Sequence, residues 1–318
     1  MRLSLVIPIL LLLCVAPIAR FTTIADAHAQ NPPQNQDEPI RLSSRLIAVP
    51  VSVSDATGKP VRDLTAEDFV LEEEGRKQAI TSLGEPGKVP TEIALLFDIS
   101  ASIQDQFSFE QQAAVRFIKE VLKSTDAVSI YSIGAKPRLV KARTNSGDEA
   151  NAGVRSISPV KEPTAFFDSV VEAALYLGKT AEPGSRRALV VISDGEENFS
   201  EHYHLADALR ELQKNDCLFY SINPSGSALK LNLVSVRGQG YMESMSAQTG
   251  GKAFVPEHVS DLEAVFHQIT EELQAQYLLG YYSSDDRADG GFRKISVRAC
   301  RPDVRVRARQ GYYAPRIK

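Results

Sequence analysis

Asp98, Ser100 and Ser102 follow directly on the apolar run Ile93–Phe97. One carboxylate and two hydroxyls at the end of a buried strand offer only oxygen donors. That set suits a hard cation: Mg²⁺ takes oxygen ligands in near-octahedral geometry and usually keeps some of its waters. In an extended turn, a spacing of two places all three side chains on one side of the chain. Thr164, after Glu162 and Pro163, and Asp194, between Ser193 and Gly195, supply two further oxygen-bearing groups. Asp98, Ser100, Ser102, Thr164 and Asp194 are the candidate ligands of one site for Mg²⁺ or Mn²⁺. Each segment alone has a plainer explanation. Asp98 and the serines would cap a following helix, Thr164 the helix starting near Phe166, and Asp194 would be turn chemistry before a glycine. Three such segments in this order, at strand ends, favour a metal site.

The elements that must position them lie between residues 91 and 276, where apolar strands alternate with amphipathic helices. Strands are expected at Ile93–Phe97, Ala127–Ile133, Ala188–Ser193, Leu218–Ile222 and Lys252–Val255. Helices are expected near Phe107–Leu122, Phe166–Leu177, Tyr203–Lys214, Gly240–Thr249 and Asp261–Gln276. This alternation predicts an α/β fold, a doubly wound and mainly parallel sheet with helices on both faces. Ligands in such folds bind beyond the carboxyl ends of the strands, where Asp98 and Asp194 fall. Residues 41–90 and 277–318 instead read as short alternating strands: Leu46–Val53, Val61–Leu64, Phe69–Glu73 and Ala79–Leu83, then Tyr277–Tyr282, Phe292–Cys300 and Val304–Arg309. Neither piece is large enough to bury a sheet alone. The expectation is that they pack together as a small β-sandwich with the α/β domain inserted between them.

The chain has 318 residues, 43% hydrophobic and 24% charged, with a formal net charge of −4. That balance suits a globular core, and the lack of a basic run argues against a nucleic-acid partner. Residues 1–29 read as a cleaved targeting signal: Arg2, an apolar stretch from Leu3 to Ala19, and Ala27-His28-Ala29 before Gln30. An uncleaved anchor is the alternative, although the stretch is short for a span and holds Pro8 and Pro17. Residues 30–40 are polar and proline-rich, a flexible leader. The expected location is therefore periplasm, cell surface or medium, with no stable membrane span after cleavage. Cys217 and Cys300 sit in separate strand-like runs and read as two single thiols rather than a disulfide.

Residues 91–276 resemble a von Willebrand factor A domain, and the five candidate ligands match its metal ion-dependent adhesion site. The resemblance implies that Ser100, Ser102 and Thr164 are inner ligands and that Asp98 and Asp194 act mainly through waters. A coordination position is then left for a carboxylate from a partner protein. One departure stands beside the threonine, where many relatives carry a Gly-Gly pair and this chain has Glu162-Pro163. It puts the ligand preference in question rather than the metal. The wider pattern resembles a bacterial exported subgroup with such domains. The residues that carry it include Val51–Pro60, Leu64–Phe69, Ser193–Asn198, Tyr277–Tyr282 and Gly311–Tyr313.

The reading is a non-enzymatic, adhesion-type module that recruits an Asp or Glu side chain of a protein partner. A metal-dependent hydrolase is the rival. Yet the five histidines (His28, His202, His204, His258 and His267) mark no base for Ser100 or Ser102. A structural envelope protein with an unused metal site is the other. Glu196, Glu197 and Asn198 read as a solvated loop, and His202 and His204 as exposed residues at a helix start. Ser185-Arg186-Arg187 reads as a solvated basic turn. Arg298, Arg301, Arg305, Arg307 and Arg309 read as the wet face of an edge strand.

Overall fold

The structure, a computed structural model, describes residues 46–100, 107–226 and 233–316. The segments read as signal and leader, and Ser102 among the candidate ligands, lie outside the described residues.

The central element is a six-stranded sheet built from β5 (Thr91–Asp98), β6 (Ala127–Ile133), β7 (Arg138–Thr144), β8 (Arg186–Ile192), β9 (Cys217–Ile222) and β10 (Ala253–Phe254). Its strand order is β10-β9-β8-β5-β6-β7, parallel except for β7 at one edge. Every residue of β5 and β6 is buried. This is why both read as continuous apolar runs rather than alternating ones. Side chains of β5 alternate between two cores. Ile93, Leu95 and Phe97 face one side with α1 (Phe107–Val121), α2 (Gly147–Arg155) and α6 (Leu262–Ala275). Ala94 and Leu96 face the other with α3 (Phe166–Thr180), α4 (Leu205–Lys214) and α5 (Leu233–Thr249).

The flanking strands form two four-stranded antiparallel sheets. One has the order β13-β1-β11-β4, from Val304–Ala308, Leu46–Asp55, Tyr277–Tyr282 and Ile80–Gly84. The other has the order β14-β12-β2-β3, from Gly311–Tyr313, Phe292–Ala299, Phe69–Glu73 and Arg76–Gln78. Each sheet mixes strands from both ends of the chain. One core of Val49, Val51, Phe69, Leu71, Tyr277, Leu279 and Ile295 fills the space between them. The expected sandwich around an inserted α/β unit is the observed arrangement.

Several local expectations need correction. Residues 61–64 form no strand. Strand β7 and helix α2 lie outside the expected elements; β7 has no buried residue along its length and carries no apolar run. Helix α5 starts at Leu233 rather than Gly240, through a first turn whose Leu233 is 84% exposed. Arg186 is buried, not solvated. Its guanidinium donates to the carbonyls of Val89, Leu273 and Gln276 and to the Thr91 hydroxyl, tying the start of β8 to the end of α6. The C-terminal arginines divide. Arg298 and Arg301 pair at the surface with Glu72 and Asp63, but Arg309 is buried against Asp216 and Arg307 pairs with Glu272. Cys217 is buried, Cys300 is exposed, and both are free. Among the described residues no helix is long and apolar enough to cross a membrane.

Candidate metal centre

Strands β5 and β8 are neighbours, with Phe97 opposite Ile192. The chain leaves β5 toward β6 on one side and reaches β8 on the other, so a topological switch point lies between them, the place where such sheets bind ligands. Asp98 is the last residue of β5, and Asp194 lies two residues beyond β8. Both carboxylates therefore sit at the same rim, and both are buried, Asp98 completely.

The Asp98 carboxylate is held from two sides. The Ser193 hydroxyl donates to one oxygen at 2.6 Å, and the Ser100 amide to the other at 2.9 Å. The Gly195 amide donates to the Ser193 hydroxyl in turn. With hydrogen bonds already on both oxygens, Asp98 is better placed to hold cation-bound water than to face an ion with both oxygens. Burial, with the nearby Asp194 charge adding to it, pushes its pKa up to about 6, against the pull of the Ser193 and Ser100 bonds. The donors that lower its pKa are hydroxyl and amide groups rather than cationic side chains. A cation at this rim would relieve both the desolvation and the repulsion.

Asp194 organises its own turn by accepting from the Glu196 amide. Gly195 follows in the left-handed region at φ +73°, and α5 comes so close that a Cβ on Gly195 would lie 2.6 Å from the Gly238 carbonyl oxygen. Glycine is required at both positions, one for conformation and both for approach. Glu196 reaches the same helix by accepting from the Ser235 hydroxyl.

Thr164 arrives on the loop before α3. The Ile99 carbonyl accepts from Val160, and the Gly134 carbonyl from Ala165, which binds this loop to the ends of β5 and β6. The Thr164 amide donates to Asn198, while its carbonyl accepts from the Asn198 and Phe199 amides. None of these bonds uses the Thr164 hydroxyl. Ala165, not Thr164, is the N-cap of α3, and it makes no side-chain cap bond. The orphan amide of Phe167 is met instead by Glu197, which also accepts from the Phe199 and Ser200 amides and the Ser200 hydroxyl. Asp168 accepts from the Glu201, His202 and Tyr203 amides. The loop after β8 is thus laced to α3, so Glu197 and Asn198 are structural and not a solvated rim. Glu162 is exposed, and its carboxylate lies against Gly134 beside Ile99.

Asp98 and Ser100 lie at the end of β5 and Asp194 just past β8, while the Thr164 loop is bonded to the residues that follow β5 and β6. Two buried carboxylates and hydroxyls suit Mg²⁺ or Mn²⁺. Among the described residues no three His, Cys, Asp or Glu side chains form a metal-holding group. His202 lies at 3.2 Å from Asp168 through Nδ1 and is otherwise exposed.

Glu110 is the residue that the sequence reading missed. It is fully buried in the first turns of α1, and neither carboxylate oxygen has a hydrogen-bond partner. Burial, and then the charges of Asp98 and Asp194, push its pKa up to about 8. The available signal was a carboxylate standing on the apolar stripe of Phe107, Ala114 and Phe117.

Comparison with curated proteins gives no match. Among solved structures the chain is similar to the conserved hypothetical protein BatB from Bacteroides thetaiotaomicron, at 20% identity over 57% of this chain and 98% of that one, with a TM-score of 0.45. It is similar to the von Willebrand domain of the type V pili tip protein Mfa5 from Porphyromonas gingivalis, at 12% identity over 57% and 94%, with a TM-score of 0.46. It is also similar to the PilB minor pilin from Streptococcus sanguinis, at 12% identity over 63% and 64%, with a TM-score of 0.47. The family model of the von Willebrand factor type A domain matches residues 92–268, more than half of the chain, and the protein belongs to that family.

Proposed function

We propose that this chain is an exported, non-enzymatic binding module. In this reading Asp98, Ser100, Ser102, Thr164 and Asp194 hold one Mg²⁺ or Mn²⁺, and the ion receives an Asp or Glu carboxylate from a protein partner. Membership of the family points to protein interaction. The observation that carries the finer reading is the meeting of two buried carboxylates at one sheet rim, with Ser100 and Thr164 beside them and hydroxyl and amide donors as the partners of Asp98. The ion would supply a Lewis-acidic contact, electron-poor because few anions touch it directly. The chain's own part is to hold the two aspartates apart, fix the Thr164 backbone and keep the rim closed behind the ion. Exposed apolar side chains border it: Phe199 on the loop bonded to Thr164, and Leu233 and Val236 at the start of α5. They offer a partner contact area around a central charged anchor.

The test is a pull-down of envelope proteins with immobilised protein in Mg²⁺, in EDTA and with Asp98→Ala. A partner retained only by the wild type in Mg²⁺ supports the reading. Equal retention in all three conditions refutes it. Mg²⁺-dependent ester or phosphoester turnover that disappears in Ser100→Ala would replace it with a hydrolase.

A further inference from the structure

We propose that Glu110 is a third carboxylate of the metal centre, acting on the bound divalent cation through a water of its coordination shell. This rests on the preceding reading of Asp98 and Asp194 as a cation site and adds a residue to it.

The argument begins with the stripe that α1 turns inward. Phe107, Glu110, Ala114, Phe117, Ile118 and Val121 are all buried and recur at the spacing of one helix face. Phe107 packs edge-on against Phe97, with ring centroids 6.5 Å apart, which fixes this end of α1 at the end of β5. Glu110 stands one turn further on the same face. It is completely shielded from solvent, and both of its oxygens lack a hydrogen-bond partner. A carboxyl in such a place costs several kcal/mol in general unless something compensates it. No basic residue pairs with it among the described ion pairs. The charges it does feel are those of Asp98 and Asp194, the two aspartates of the rim. A buried acid with no hydrogen-bond partner, close enough to two other acids to be raised by their charges, is placed for a cation between them.

The three carboxylates do not form a direct metal-holding group. Glu110 therefore acts at one remove, accepting from a water that the ion carries. This fits Mg²⁺, which dehydrates reluctantly and keeps several waters. With three acidic groups around a doubly charged ion, the centre retains its metal more tightly than two aspartates alone would.

The experiment is calorimetric titration of the full chain with MgCl₂ and MnCl₂, comparing wild type, Glu110→Gln, Glu110→Asp and Asp98→Ala, with melting temperatures in EDTA as a second readout. Glu110→Gln is expected to weaken cation binding at least tenfold while its melting temperature in EDTA stays equal to or above that of the wild type. A merely structural Glu110 would give the opposite pattern, a lower melting temperature with unchanged affinity. Should Glu110→Gln fail to fold, Glu110→Asp keeps the charge and shortens the reach, and a loss of threefold or more is expected. Wild-type affinity in the Glu110 variants, with binding lost in Asp98→Ala, removes Glu110 from the centre and leaves the two-aspartate site standing. No cation binding by the wild type overturns both.

Discussion

With no cation bound at the proposed site, this protein's stability is expected to fall as pH rises, the reverse of ordinary acid denaturation. Glu110 has an ordinary value of 4.5 and is pushed up to about 8, and Asp98 moves from 3.8 to about 6. A carboxyl raised on folding binds protons in the folded state that the unfolded chain has already released. Its stabilising contribution is complete below about pH 4 and is lost as pH climbs through the folded value. At 1.36 kcal/mol per tenfold difference, Glu110 alone withdraws up to roughly 4 kcal/mol between pH 5 and pH 8.5, and Asp98 about 1 kcal/mol more. The two groups are coupled, so the sum is a ceiling. At roughly 3 °C per kcal/mol for a domain of this size, half of that ceiling lowers the melting temperature by about 7 °C. The assay is thermal unfolding in EDTA and in 10 mM Mg²⁺ from pH 5 to 8.5. A cation between the carboxylates replaces the protons, so the Mg²⁺ curve is expected to be flat, and the gap between the two curves to widen with pH. His267, held protonated to higher pH by Glu120 at the surface, gives the same sign but is indifferent to metal. A melting temperature in EDTA that is level or rising over this range refutes the electrostatic reasoning. So does a Mg²⁺ effect as large at pH 5 as at pH 8.5.

Two substitutions probe how the rim is held, and a third separates stability from cation affinity. Gly238→Ala would put a Cβ 2.5 Å from the Gly195 backbone and 2.8 Å from the Asp194 carbonyl. Overpacking of this kind costs about 1–3 kcal/mol, and calorimetry should find Mg²⁺ binding weakened because the Asp194 turn is displaced. Glu197→Ala leaves the Phe167, Phe199 and Ser200 amides without their acceptor. A loss of about 1–2 kcal/mol in urea unfolding is expected, as for a lost cap, together with weaker Mg²⁺ binding through the loosened Thr164 loop. Arg186→Met removes the donor to three carbonyls and one hydroxyl far from the rim. It should cost about 3 kcal/mol or more in the same assay while leaving cation affinity unchanged.

Much of this arrangement could be read from local sequence, for physical reasons. Strands β5 and β8 are buried on both faces, so their apolar runs end sharply at Asp98 and Ser193, and the strand-end carboxylates announce themselves. Phe292–Ala299 alternates buried and exposed side chains because the sandwich has one wet face. What escaped depends on contacts between distant segments. Glu197 and Asn198 look like loop residues until α3 and Thr164 are brought beside them. Arg307 and Arg309 alternate with valine as exposed residues do, yet Glu272 and Asp216, 35 and 93 residues away, draw them inward. Helix α5 hides its first turn because Leu233, Val234 and Val236 are exposed and break the amphipathic pattern. Glu110 is the opposite case: a charged residue whose place on the apolar stripe of α1 is itself the clue to its burial.

The central claim is that separate segments of the chain converge to hold one divalent ion. Titration with Mn²⁺ followed by electron paramagnetic resonance tests it most directly. The account predicts one bound Mn²⁺ per chain, displaced by Mg²⁺, abolished in Asp194→Ala and weakened in Thr164→Ala. Binding of the ion that is untouched by both substitutions, or no bound ion in the wild type, contradicts it.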